Sequence, residues 1–203
     1  MKSKETTSAG PARAIIRFTN PCVLGVMVLM LMAFTGSSSM RILVVWATIL
    51  LSFLVVLPLV YIFMRTHTRE SGKKLLADPT SFLGQHPRDV FILGVLFALP
   101  CLIILAFLNA SSLLLCTLAS LLVSSLIAAL INIFYRVSYH LTAVTILAIM
   151  ASVTWGRILL VLLVAIPLVG WAKYQIHEHT LAQMAIAIAL SAMVTAVTLH
   201  LLS

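Results

Sequence analysis

Charge is what this sequence has least of. Only 9% of its 203 residues are Asp, Glu, Lys or Arg, and just five of those are acidic. An ordinary soluble domain carries about 25% charged residues. With 62% hydrophobic residues and a mean hydropathy of +1.17, the composition excludes a water-soluble globular fold. Cysteine is scarce as well. Cys22, Cys101 and Cys116 lie within or beside apolar runs and show no CxxC spacing. That argues against a disulfide framework or a zinc site and makes them small core hydrophobes. Heptads and a clear internal repeat are also missing. The apolar runs are continuous and do not alternate, so helices, not a barrel, must satisfy the backbone in hydrocarbon.

What is there is a series of apolar spans at approximately 19–35, 43–64, 90–108, 112–134, 139–154, 157–171 and 180–202. Each is near the ~20 residues that cross a bilayer. The expected fold is all-α, a polytopic transmembrane bundle of about 6–7 spans. It has a flexible basic tail over 1–18 and a single transmembrane domain over 19–203. The tail, MKSKETTSAGPARAIIRF, is followed by no small-x-small cleavage site, so the first helix reads as retained. The first span follows Pro21, and the sixth is short and contains Pro167. Turns are expected at Gly36-Ser37-Ser38-Ser39 and at Asn109-Ala110-Ser111-Ser112, and the long polar segment is roughly 65–89.

The net charge of +8 resembles a nucleic-acid signal, but its distribution argues against one. Lys2, Lys4, Arg13, Arg17, Arg65, Arg69, Lys73, Lys74, Arg88, Arg136 and Lys173 fall on one side of the span count, and only Arg41 and Arg157 on the other. Such asymmetry follows the positive-inside rule and puts the base-rich loops in the cytoplasm. The partner implied is the lipid bilayer, with no nucleic acid.

Three of those loops, around His86/Arg88, Arg136/His140 and Lys173/His179, gather ionisable groups at one face. His179 and Gln183 are four apart, on one face of a helix. The glutamine carbonyl can accept from one imidazole nitrogen and leave the other to act. Arg136 and His140 share the same spacing, and Ser138 can cap a helix or donate to an oxyanion. Two imidazoles, cations and a hydroxyl at helix starts suit a phosphate: amides and cations hold its oxygens, one histidine attacks, the other protonates the departing oxygen.

Plainer readings compete. Bases flanking membrane helices usually anchor them at the headgroups. His67 and His200 read as structural, and Arg65, Arg69 and Lys73-Lys74 as a run facing headgroups. His177-Glu178-His179 suggests a metal site, but positions two apart on a helix point to nearly opposite faces and no carboxylate-rich partner loop is present. No metal and no cofactor are expected.

Lys173 to His179 keeps an x(5) spacing, followed by His179-Thr180-Leu181-Ala182-Gln183. This resembles the S-R-x(5)-H-x-x-x-D signature of the type 2 phosphatidic acid phosphatase superfamily, which includes the vanadium haloperoxidases. Here Ala172-Lys173 stands for Ser-Arg and Gln183 for aspartate. Arg136-Val137-Ser138-Tyr139-His140 resembles the K-x-S-x-H form of bacterial and archaeal membrane members. Phe82 to Asp89 occupies the place of the first signature, with Arg88 or His86 standing in for its bases. The resemblance covers about residues 65–202.

It implies a metal-independent lipid phosphate phosphatase in the plasma membrane of a prokaryote. His179 would be the nucleophile, oriented by Gln183, and His140 the acid. Lys173, Arg136, Ser138 and Arg88 or His86 would hold the phosphate of a lipid phosphomonoester or diphosphate, isoprenoid or glycerolipid. Two rival readings are a catalytically impaired relative that binds lipid phosphate or supports a partner, and a small transporter with histidines along its path.

Overall fold

The computed structural model describes residues 21–65, 87–156, 163–176 and 178–202, and all regular structure among them is helical. Helix α1 is Pro21–Gly36. Helix α2 runs through Met40–Leu51, a π turn at Ser52–Val56, and Leu57–Arg65. Helix α3 repeats that plan with Pro87–Leu93, a π turn at Gly94–Ala98, and Leu99–Phe107. Then come α4 at Ser112–Ile131, α5 at Tyr139–Trp155, α6 at Ala165–Gln175 and α7 at Leu181–Leu202.

Four of these helices are long and apolar enough to cross a membrane: Met40–Met64, Pro87–Phe107, Ser112–Ile131 and Leu181–Leu202. With 16 and 17 residues, α1 and α5 reach about 24–26 Å, short of a ~30 Å hydrocarbon core. At 11 residues α6 is shorter again. Its described helix starts at Ala165 with Pro167 in the first turn, where no amide partner is needed, and residues 157–162 of the expected span lie outside the described residues. Residues 1–18, His67, Lys73, Lys74, His86 and Arg157 lie outside the described residues.

The π turns have a shared cause. Each ends two residues before a proline, Pro58 or Pro100. Proline cannot donate to the carbonyl four residues back, and its ring presses on it. The helix widens instead: Leu57 N–H donates to Ser52 O, and Leu99 N–H to Gly94 O, each skipping five residues. The two widened turns lie against each other.

Helices α4, α5 and α7 form the centre, with α1 packed on α2, α4 and α5, α3 on α4, and α6 on α5. One apolar core gathers Met32, Leu50, Leu105, Leu114 and Met150; a second, from Val137, Leu141, Val144, Val169, Met184 and Ala187, joins α5, α6 and α7. Cys116 Sγ donates to Thr198 O, so the start of α4 lies beside the end of α7. The two helices are therefore antiparallel. The end of α4, the start of α5, the end of α6 and the start of α7 meet at one end of the bundle, where the second apolar core supports them.

The opposite turns also touch. A Cβ on Gly36 would stand 2.7 Å from Ser111 Cβ, joining the α1–α2 turn to the α3–α4 turn. Gly36→Ala should therefore destabilise by about 1–3 kcal/mol, read as thermal unfolding in detergent. Ser111→Gly in the same chain should recover most of the loss.

Candidate functional site

The site is built at the start of α7. Gln183 Oε1 accepts the Thr180 backbone N–H at 3.0 Å, and Thr180 Oγ1 accepts the Gln183 N–H at 3.3 Å. This is a capping box, T-x-x-Q, which satisfies two otherwise unpaired amides. The same Oε1 lies 3.3 Å from His179 Nδ1. A backbone N–H can only donate, so the Gln183 atom facing Thr180 is the oxygen. That in turn requires His179 Nδ1 to carry its proton and leaves the lone pair on Nε2. The imidazole is in the tautomer a nucleophile or base needs.

The His179 pKa lies below its ordinary value of 6.5. Burial is the largest cause, and the positive fields of Lys173 and Arg136 add to it; the Gln183 hydrogen bond and the Glu178 carboxylate pull the other way. His179 is therefore neutral at neutral pH.

Arg136 reaches the same place from the α4–α5 loop. Asn132 clamps that loop: Val137 N–H donates to Asn132 Oδ1 at 2.6 Å, and Asn132 Nδ2 donates to Val137 O at 3.3 Å. Ser138 then caps α5, its Oγ accepting the Leu141 N–H at 3.4 Å. Arg136 and His179 line one open groove of about 550 Å³, together with Glu178, Thr180, Gln183, Tyr174, Leu181 and Ala182. An imidazole, a guanidinium and the first amides of a helix, with Leu181 and Ala182 in the same lining, can hold an anion attached to an acyl chain.

The residues expected at the site are distributed unevenly. His179, Gln183 and Arg136 share the groove. His140, in the first turn of α5, is only 2% exposed and does not line it. Ser138 is buried, with its hydroxyl engaged as the cap of α5. Lys173 stands not in a loop but in the last turn of α6, where a cation complements the carboxyl-terminal dipole. Its ammonium is buried and ion-paired with Glu178. Arg88 is exposed at the start of α3 and does not line the groove; His86 lies outside the described residues.

Glu178, which the sequence offers only as a metal candidate, and Thr180 and Tyr174 were not among the expected phosphate-site residues. The T-x-x-Q spacing could have identified Thr180. His177 lies outside the described residues. Among the described ones, no three His, Cys, Asp or Glu side chains converge for a metal. Tyr61 OH also donates to the buried Asp89 at 3.4 Å, tying α2 to α3 away from the groove.

The chain matches no family model, no curated protein and no solved structure.

Gln183 carries two roles that substitution can separate. Gln183→Glu keeps an acceptor for both Thr180 and His179 but adds a charge that favours the imidazolium. It should raise the His179 pKa, read by NMR titration, at near-unchanged stability. Gln183→Ala should lose about 1 kcal/mol through the cap.

Proposed function

We propose that this is an integral membrane lipid phosphate phosphatase that hydrolyses a lipid phosphomonoester or diphosphate without a metal. The observation carrying this reading is the His179 arrangement: Nδ1 held by Gln183, the lone pair left on Nε2, and Arg136 lining the same groove. Leu181 and Ala182 in its lining suit a substrate whose phosphate lies at the headgroup level and whose chain stays in the bilayer. In this proposal all seven helices cross or enter the membrane, and the groove opens to the cytoplasm of a prokaryote. The bias of bases supports that orientation.

In the proposed reaction His179 Nε2 attacks phosphorus while Arg136 and the first amides of α7 hold the oxygens. The P–O bond to the leaving group breaks: a monoester departs as the lipid alkoxide, which takes a proton as it leaves, and a diphosphate departs as the lipid monophosphate. Water then attacks the phosphohistidine, returning Nε2 and releasing inorganic phosphate. His140 is the proposed proton donor. Because its ring is buried outside the groove lining, that role requires the groove to open toward α5.

Binding without turnover is the second reading. The neutral Gln183 favours it, since an amide supports an imidazolium less than a carboxylate does, and so does the engagement of Lys173 by Glu178. Incubating the purified protein with phosphatidic acid, isoprenyl phosphate and isoprenyl diphosphate separates the two. Release of phosphate supports the enzyme. Saturable binding without release supports the second reading, and neither result rejects both.

The lowered His179 pKa adds a pH signature. A group with a depressed folded pKa contributes stability that is present above its unfolded value of about 6.5 and lost as pH falls through the folded value. Phosphate release should accordingly hold its plateau below pH 6.5 before declining. A limb centred at or above the ordinary imidazole value would contradict this.

A further inference from the structure

The Lys173–Glu178 pair has a geometry that counterion duty alone does not require. The Lys173 side chain is 3% exposed, whereas that of Glu178 is 36% exposed and lines the groove beside His179. Glu178 N–H also donates to Lys173 O at 3.2 Å, folding the end of α6 back on itself so that the carboxylate reaches the ammonium. Among the described residues Lys173 is the one buried cation, and the chain's own carboxylate, itself lining the groove beside His179, occupies it.

We propose that Glu178 is an internal competitor for the phosphate. It latches Lys173 in the resting site, and a phosphomonoester displaces it, passing Lys173 to the phosphate while the Glu178 carboxylate turns out to water. This rests on the reading of the groove as a phosphate site and adds to it a gate. An incoming phosphate dianion offers Lys173 more charge than a carboxylate and keeps the ammonium paired throughout, which a buried cation requires. A single-charged anion gains less from the exchange, so the latch selects for phosphomonoesters over carboxylates and phosphodiesters. Partial exposure lets the Glu178 side chain leave without unfolding α6.

The test is a double-substitution cycle on the full-length protein: wild type, Glu178→Gln, Lys173→Met and the two combined. Two probes are used, inorganic phosphate and phosphatidylcholine vesicles containing phosphatidic acid. Glu178→Gln should tighten binding of at least one probe by roughly ten- to a hundredfold, the scale of one charged hydrogen bond. Which probe responds tells free phosphate from a lipid headgroup. In the Lys173→Met background the same change should produce little gain. Equal tightening in both backgrounds would mean simple charge repulsion, and would overturn the latch.

If Glu178→Gln does not fold, Glu178→Asp keeps the charge on a shorter arm and should give a smaller tightening, again only with Lys173 present. No tightening by Glu178→Asp would then overturn the latch. Should wild type and Glu178→Gln bind equally while His179→Ala binds neither probe, only the latch fails. If no variant binds either probe, the phosphate site fails with it.

Discussion

Replacing His179 with alanine should lower phosphate release at least about a thousandfold, the scale at which loss of a reacting group registers. The expectation follows from the site's asymmetry. Nδ1 is spent on Gln183 Oε1, whose other donor is the Thr180 amide, so the neutral ring has one tautomer, with its lone pair on Nε2. Of the other groove residues, Arg136 is a cation, Thr180 Oγ1 accepts the Gln183 amide, and Glu178 holds Lys173. Stability should change little, within about 1 kcal/mol, because only one neutral hydrogen bond is lost. His179→Asn sharpens the result. Its side-chain amide can donate to Gln183 yet offers no nucleophile, so it should keep the fold and lose release as fully as alanine. Substantial release by either variant would move the chemistry elsewhere.

Arg136→Ala should lower kcat/KM roughly ten- to a hundredfold, corresponding to one charged hydrogen bond of about 1.5–3 kcal/mol. Its side chain is exposed on a loop held by Asn132, so unfolding should stay within about 0.5 kcal/mol of wild type. Arg136→Lys should recover part of the loss, since an ammonium keeps the charge but lacks the planar fork. A larger effect on folding than on kcat/KM would make Arg136 a headgroup anchor, the ordinary role of a base at a helix end.

The apolar helices were legible because runs of about 20 apolar residues leave little choice of structure. That Lys173 stands inside the last turn of α6 was not, since the polar run Lys173-Tyr174-Gln175 reads as a loop. The π turns before Pro58 and Pro100 escaped as well. A proline in a membrane helix announces a distortion, but its form depends on what packs against it, and here each widened turn faces the other.

At the site, the His179–Gln183 contact was readable from i,i+4 spacing. The capping box was equally readable, and it gives Gln183 a structural reason to be where it is. Glu178 as the partner of Lys173 was not readable, because five residues apart is not a helical pairing; the contact depends on the chain leaving α6 between them. Burial of His140 was likewise hidden. Spacing gave its place in the first turn of α5, while its 2% exposure comes from the helices packed around it.

The most direct test is to trap the intermediate. The purified protein is mixed with a phosphorus-labelled lipid phosphate, quenched in alkali, which preserves phosphoramidates, and its peptides are mapped. Label on Nε2 of His179, absent from His179→Asn, is the predicted result. Steady release of phosphate with His179 unmodified, or label on another side chain, would contradict a phosphohistidine at the start of α7.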